Sequence, residues 1–494
     1  MGTALYIVET VMKKNHLILA VFLLFGACKK NHDQQSAGGS NVPPYFEDIL
    51  INETLANGSN APFQRALGYF PLASDPGTQI MVASRGSEEL NDARGFRIAS
   101  INKSKGTVNW VRSFDLPDQY FIQIATCAAI DANDNIWIGG HSFQGITPAN
   151  LFLVKLDRSG NLIWSKSFSN YQGFRAYSLA ALSNGDIALF GKSGGAMVCH
   201  RLTADGNPVW STQLVYTWWG TIDDDYYNKP NNLSPENHGL VEGSDGSIYF
   251  ATSSNSGTAN VGGTDRLVRL DANGKILFAN VYSLANNTAV VRPVQLTAAG
   301  NGQLLLADQM VSYNGWEGCP YFTMLSGDGS VVASRGRPYD PNNVLGITIN
   351  EVNFYHDSVY YSTCGDNQFN TYILDAGLNL KSAVKTAATS DIGTDRGGIS
   401  LYDATDRALY YVFNFGGNPG ESNGFEVTRN GPTGKPCVTT YTIPPATLLL
   451  ESTTVSVKAD TAVASSGYGP SPVFTSLTWR QYTVTTSPMN VCGQ

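Results

Sequence analysis

One hairpin pattern recurs along the chain and limits what it can fold into. "LDRSGNLIWSKSF" (156–168) runs from an apolar strand through a polar turn containing glycine into a second strand. "INKSKGTVNWVRSF" (101–114), "LTADGNPVWSTQL" (202–214), "LDANGKILFANVY" (270–282) and "LSGDGSVVASRGR" (325–337) follow the same course, and "LDAGLNLKSAVKT" (374–386) is a degenerate copy. Gly106, Gly160, Gly206 and Gly274 each stand four residues before an aromatic: Trp110, Trp164, Trp210 and Phe278. Side chains alternate across a strand, so constant spacing puts that aromatic on the same face each time. The acid of the turn is not constant, because Lys103, Thr203 and Ser326 stand where Asp157 does. A metal ligand or catalytic carboxylate would not tolerate that exchange, so the repeat reads as a structural hairpin, with Trp164 wedged between neighbouring sheets.

A second family of hairpins precedes the first: "LASDPGTQIMVAS", "AIDANDNIWIGG", "ALSNGDIALFGK", "LVEGSDGSIYFAT", "TAAGNGQLLLADQ", "NFYHDSVYYSTC" and "LYDATDRALYYVF". Their markers Ile80, Ile136, Ile187, Ile248, Leu304, Val359 and Leu409 recur every 50 to 61 residues, within the range of propeller blades. Seven units of four antiparallel strands, with no helical periodicity between them, are best satisfied by twisted sheets packed radially around a ring. The expected fold is therefore all-β: a seven-bladed β-propeller of four-stranded antiparallel blades with a small C-terminal β appendage. Strands in the second blade are expected at about 121–130, 135–141, 149–156 and 161–168. Composition agrees, with 42% hydrophobic and 15% charged residues, 50 glycines, 24 tyrosines and 22 phenylalanines, a β-rich and turn-rich profile. A pair of β-sandwiches is the competing architecture, but a sandwich has no reason to repeat so regularly. Either "YFEDILINETL" near the N-terminus or "VTTYTI" after Cys437 is suited to complete the last blade.

"DANDNIWIGG" resembles the two-component-regulator propeller repeat, and the "LDxxGxxxW" pattern is similar to PQQ-like propeller repeats. Together these resemblances span about residues 65–445, and they imply architecture rather than activity. A PQQ cofactor would need a pocket with metal ligands, and no such set stands out, so no cofactor is expected. The turns also resemble the sialidase Asp-box, with a longer glycine-to-aromatic spacing; that box is itself a structural turn.

The N-terminus supplies an address. "MKKNHLILAVFLLFGACKK", from Met12, has a basic start, an apolar stretch of about ten residues, small residues and Cys28. The stretch is shorter than the roughly 20 residues a spanning helix needs. With the polar tether that follows, it resembles a lipoprotein of the Bacteroidetes type. That resemblance implies a signal peptide over 1–27 starting at Met12, lipidation of Cys28, and a flexible tether over 28–44. Lys29, in place of an aspartate, favours the outer membrane, with the periplasmic or surface-exposed side left open. Without Cys28 six cysteines remain, permitting disulfides in an oxidising compartment. The propeller is expected over 45–445 and a β-rich tail over 446–494, packed on the ring, with Cys437 and Cys492 as the pair that would fasten it.

Strand alternation puts the short turns on one face of the ring and the longer connections on the other: "HSFQGITPAN", "SSNSGTANVGGTD", "QMVSYNGWEGCP", "NFGGNPGESNG" and "VYTWWGTIDDDYYNKPNNLSPENHG". Binding residues concentrate on irregular loops carried by a rigid scaffold. The last segment joins Trp218, Trp219, Tyr226 and Tyr227, suited to stacking on sugar rings, to Asp223, Asp224 and Asp225, which can accept hydroxyl hydrogen bonds. Those three acids also suit a calcium ion, which takes oxygen ligands. A solvated loop that folds its aromatics onto the ring explains the same composition. Trp316, Glu317, His141 and His238 are further candidates for ligand binding.

A formal net charge of −8 and the lack of any Lys/Arg-rich run in the body exclude a nucleic-acid footprint. No HExxH, GxSxG, phosphate-binding GxxxxGK[ST] or EF-hand loop occurs. The favoured expectation is a non-catalytic outer-membrane lipoprotein whose propeller binds a glycan or another envelope protein. Two alternatives stand beside it: a carbohydrate-active hydrolase or lyase using acids such as Asp224, and an envelope-assembly scaffold that binds peptide strands.

Overall fold

A computed structural model describes residues 49–52, 64–85, 94–103, 105–115, 121–144, 147–168, 174–193, 196–215, 239–254, 264–284, 290–311, 318–336, 349–355, 357–365, 368–387, 398–403, 405, 408–415, 424–430, 440–442, 451–452, 455–459, 463–466, 474–476 and 480–483. All belong to the unit Pro44–Gln494.

The hairpins build seven antiparallel blades, the first two joined into one sheet by a short parallel pairing of Arg94 and Gly95 with Gln123 and Ile124. The first holds Gln64–Pro71, Thr78–Arg85, Arg94–Asn102 and Thr107–Asp115. The second holds Phe121–Ile130, Ile136–Gln144, Thr147–Leu156 and Leu162–Phe168, within two residues of every expected boundary except at the hairpin joining its second and third strands. The third holds Phe174–Ala181, Ile187–Ser193, Ala196–Leu202 and Pro208–Val215, and the fourth Leu240–Glu242, Ile248–Ser254, Thr264–Leu270 and Ile276–Leu284. The fifth holds Val290–Ala298, Leu304–Val311, Gly318–Leu325 and Val331–Gly336. The sixth holds Ile349–Tyr355, Ser358–Gly365, Gln368–Asp375 and Leu380–Ala387.

The seventh blade is composite. Its first three strands are Gly398–Asp403, Ala408–Phe415 and Gly424–Asn430, and its outer strand is Ile49–Asn52 from the N-terminal side of the ring. The N-terminal segment thus completes the last blade. Its alternative, Thr440–Thr442, pairs instead with Leu380–Ala387 of the sixth.

First strands of successive blades lie against one another all the way round, including the seventh against the first. Apolar faces of adjacent sheets meet at each seam, the usual way a sheet buries itself. Met81, Ala99 and Val111 of the first blade pack with Tyr410, Val412 and Val427 of the seventh. Ile80, Ile98 and Phe114 meet Ile136 and Val154 of the second. Trp137 and Leu153 meet Leu189 and Val198, and Phe190 stacks on Phe250 with ring centroids 4.6 Å apart. Tyr249 joins Leu306, and Phe322 joins Tyr361. Tyr360 stacks on Tyr402 at 4.3 Å, closing the sixth seam.

Polar links reinforce the inner strands. Thr126 donates from its hydroxyl to the Ala176 carbonyl at 2.8 Å, and Gln295 donates to the Val352 carbonyl while accepting from the Val352 amide, both at 2.5 Å. These groups are buried, where an unmade hydrogen bond costs about 1–3 kcal/mol. Thr126 occupies a bulge in the first strand of its blade, and the first strands of the first, third, fifth and sixth blades carry the same irregularity. A bulge increases local twist and re-aims side chains.

The C-terminal strands do not gather into a compact appendage. Each adds to the outer edge of a different blade, in reverse order round the ring: Thr440–Thr442 to the sixth, Glu451–Ser452 to the fifth, Val455–Ala459 to the fourth, Val463–Ser466 to the third, Phe474–Ser476 to the second and Arg480–Thr483 to the first. The segment is a belt. It satisfies backbone groups that an exposed edge strand would present to other chains.

Candidate functional site

The short-turn face is built from the repeated acids. Asp157 accepts from the amides of Ser159 and Asn161, each at 2.8 Å, and from the Asn161 side chain at 2.8 Å. Asp271 accepts from the amides of Asn273 and Lys275, each at 2.9 Å, and Asp375 from the Asn379 amide at 2.8 Å and the Asn379 side chain at 3.1 Å. Thr203 supplies a hydroxyl at the equivalent position, accepting from the Asn207 amide at 3.1 Å. The chemistry retained in these turns is a side-chain oxygen that accepts backbone N–H bonds, which explains why the acid can be exchanged. Asp131 accepts from Asn133, from both nitrogens of Asn135 and from the Trp137 indole at 3.0 Å. Burial pushes its carboxyl pKa up, but the bonds from Asn135, Trp137 and Asn133 outweigh that and leave it below the usual value.

Other turn acids tie one blade to the next. The Asp134 carboxylate accepts from the Ala73 amide at 2.6 Å and the Ser74 amide at 2.8 Å; Glu242 accepts from the Ser183 amide at 2.6 Å. Cations do the same from the third strands. Lys155 donates to the Ala204 carbonyl, Arg201 to Ala272 and Arg269 to Gly327, at 2.8 to 3.1 Å.

The constant glycine-to-aromatic spacing has a packing cause. Gly206 sits beneath Trp164 of the preceding blade, and a Cβ there would lie 2.5 Å from the indole. Gly160 sits beneath Trp110, Gly274 beneath Trp210 and Gly329 beneath Phe278, with a Cβ falling 2.6 to 3.0 Å from the ring in each case. All four have positive φ, from 72° to 85°, a conformation that favours glycine. These four aromatics therefore cover the turn of the next blade, and Trp164 also packs against the seam between the second and third blades, between neighbouring sheets as its spacing implied.

The ring closes differently. Lys103 and Gln79 of the first blade both donate to Asp403, 2% exposed, at the end of the first strand of the seventh blade. Thr405 adds its amide at 2.9 Å and its hydroxyl at 2.5 Å. Burial raises the Asp403 pKa, but bonds from Lys103 and Thr405 together with the Lys103 charge bring it below the ordinary range. Lys103 occupies the turn position held by Asp157 in the second blade, and in its place Asn102 caps the first blade's turn through the Lys105 amide at 3.0 Å.

Of the ligand candidates, the structure places His141: it lies on the second strand of the second blade, 4% exposed, sharing a strand face with Trp137 by alternation. "HSFQGITPAN" is accordingly strand on both sides of residues 145–146, not the long connection its Gly and Thr-Pro suggested. Trp218, Trp219, Asp223, Asp224, Asp225, Tyr226, Tyr227, His238, Trp316 and Glu317 lie outside the described residues, as do Cys28, Cys437 and Cys492. Cys127 and Cys199 are buried. Burial pushes the Cys199 thiol pKa up and lowers that of His200 to about 4; His200 Nδ1 lies 2.7 Å from the Ser211 hydroxyl. Among the described residues no group of three or more His, Cys, Asp or Glu is placed to hold a metal ion.

No family model matches the sequence, and no curated protein does. Solved structures are similar at a distance. A protein from Lactobacillus plantarum is 12% identical with a TM-score of 0.42, over 85% of this chain and 99% of its own. An α-L-arabinanase from Penicillium chrysogenum is 12% identical with a TM-score of 0.34, over 78% and 98%, and a protein of unknown function from Bacteroides caccae is 12% identical at 0.34, over 58% and 88%. The strand pairing itself makes the chain a seven-bladed β-propeller, whose repeated acids, glycines and aromatics hold turns and seams together.

Proposed function

We propose that this protein is a non-catalytic lipoprotein of the outer membrane, anchored through Cys28, whose propeller presents loops that bind a glycan or another envelope protein. The observation that carries the reading is the engagement of Asp131, Asp134, Asp157, Asp271, Asp375 and Asp403 in turns and seams. Acids whose lone pairs are filled by backbone donors shape a scaffold; they are poor general acids or nucleophiles, which need geometry toward a substrate. Recognition is then assigned to the irregular connections, above all the segment with Trp218, Trp219 and Asp223–Asp225. Aromatic faces there would stack on sugar rings or on a partner's apolar side chains, and the carboxylates would accept hydroxyl or amide hydrogen bonds.

Binding to peptide strands is a second reading with its own support. Six outer edges already accept extended segments of the chain itself by antiparallel pairing, the chemistry of strand addition.

Crosslinking in intact cells followed by capture on the full-length protein, with protease shaving to find which side of the membrane it faces, tests both readings. Recovery of an envelope glycan or protein that is lost in Trp218→Ala/Trp219→Ala supports the loop assignment. Recovery unaffected by those substitutions removes it. Turnover of a polysaccharide panel, abolished by Asp224→Asn, would instead establish the hydrolase or lyase alternative.

A further inference from the structure

The belt gives the ring a second path through the chain. Successive blades are first joined in order, each outer strand leading to the first strand of the next blade. Beyond Gly424–Asn430 of the seventh blade the chain turns back and adds one strand each to the sixth, fifth, fourth, third, second and first. At the other end Ile49–Asn52, ahead of the first blade in sequence, is the outer strand of the seventh. Strands from one end of the chain therefore belong to blades made by the other. We propose that this exchange holds the ring closed after the chain is cleaved between two blades, so that the protein persists as a two-chain propeller when an external protease adds water across one peptide bond of an irregular connection.

A cut between Val215 and Leu240, the connection from the third blade to the fourth, shows the interlock. The first part keeps the first three blades and Ile49–Asn52; the second keeps the remaining strands of the fourth to seventh blades and the whole belt. Three belt strands of the second part remain on blades of the first: Val463–Ser466 on Thr212–Val215, Phe474–Ser476 on Lys166–Phe168 and Arg480–Thr483 on Arg112–Asp115. In return, Ile49–Asn52 of the first part stays on Gly424–Val427 of the second. Both seams between the parts also keep their side-chain contacts. At one, Phe190 stacks on Phe250, Arg201 and Trp210 donate to the Ala272 carbonyl, and Thr212 donates to the Gly274 carbonyl. At the other, Gln79 donates to Asp403 at 2.9 Å and Met81 packs with Tyr410.

The interlock moves with the cut. Cleavage between the first and second blades leaves Arg480–Thr483 across the break, and cleavage between the fifth and sixth leaves every belt strand from Glu451–Ser452 to Arg480–Thr483 across it. The belt strands are two to five residues long, and a ladder that short is weak alone, since even an isolated hairpin is marginal in water. Joined in one chain they act as a set: when one lifts off, its neighbours keep it near its edge at an effective concentration on the order of millimolar. Exposed connections are where proteases cut and where sequence changes are tolerated. The belt separates closure of the ring from the integrity of those connections, whatever they bind.

The full-length protein with a recognition site for a specific protease inserted between Val215 and Leu240 tests the proposal. After cleavage the two fragments are expected to elute together at the mass of the uncut protein, with exchange of the Ile49–Asn52 and Val463–Ser466 amides within about threefold of the uncut chain. A second site between Ala459 and Val463 allows 463–494 to be cut away as well, in reductant. Dissociation of the two large fragments on dilution is then expected to rise at least about tenfold. Separation after the first cut alone overturns the proposal, and so does equal dissociation with and without 463–494, which would assign closure to the seams. Limited proteolysis of the native chain gives an answer even if the inserts prevent folding. Fragments on a denaturing gel at undiminished native mass support the proposal; a native mass that falls with the first cut between blades overturns it.

Discussion

The Lys103 ammonium donates to the Asp403 carboxylate, and that bond joins the turn between the last two strands of the first blade to the first strand of the seventh. Both side chains are largely withdrawn from water, at 7% and 1% exposure. Removing one partner of a buried pair strands the other, at a cost of about 3–5 kcal/mol. Asp403→Ala is therefore expected to lower the unfolding midpoint in urea and to open the seam between the first and seventh blades first. Faster hydrogen exchange there than at the other seams is the readout. Because the Asp403 pKa is depressed in the folded state, its contribution is present above the ordinary aspartate pKa and is lost as pH falls through the folded value.

Two glycines separate conformational strain from packing. Gly185 has φ 89° with nothing within 4 Å of a built Cβ; Gly206 has φ 72° with Trp164 at 2.5 Å. Gly185→Ala is expected to cost about 1–2 kcal/mol, the price of the left-handed backbone alone. Gly206→Ala is expected to cost more than about 3 kcal/mol, because Trp164 must also move. Equal losses in denaturant titration would contradict the aromatic-over-turn arrangement.

His200 is buried, and its pKa falls to about 4 from that cause. The unfolded chain binds a proton near pH 6.5 that the folded chain refuses, so stability falls as pH drops from about 6.5 toward 4. The loss approaches roughly 3 kcal/mol for this group. His200→Gln should flatten that part of the acid limb measured by urea midpoints between pH 4 and 7. An unchanged limb would place the titration elsewhere.

Cys127 and Cys199 are expected to ignore a thiol reagent in the folded protein and to react fully in denaturant: both are buried, and burial also pushes the Cys199 thiol away from the reactive thiolate. Non-reducing peptide mapping is expected to recover Cys437 and Cys492 in one linked fragment. Separate, alkylatable Cys437 and Cys492 peptides would remove that pairing.

Blade architecture was legible because each blade is made from neighbouring hairpins, so its registers leave local marks: the seven markers, the turn glycines and the aromatics four residues beyond. The belt was not legible. Its strands are two to five residues long, and their partners lie far away in sequence, as Arg480 does from Asp115. No local pattern encodes such a pairing. Lys103 was visible as a departure from the acid of the turn, but only the juxtaposition with Asp403 explains it: the first blade has no preceding blade in sequence, so its turn is used for closure. "HSFQGITPAN" was misread because Gly145 and the Thr-Pro pair at 147–148 look like a loop, whereas the strands continue to Gln144 and from Thr147. Of the candidate site, the sequence indicated residue types suited to recognition and where they cluster; of those residues the described structure places only His141.

The central claim is that repeated residues build the ring while irregular loops recognise the partner. Capture from crosslinked cells and urea midpoints, measured on the same two variants, test it most directly. Trp218→Ala/Trp219→Ala should lose the captured glycan or protein at an unchanged midpoint, and Asp157→Ala should retain capture with a lowered midpoint. Loss of capture in Asp157→Ala at an unchanged midpoint, with capture intact in the tryptophan variant, would contradict the account.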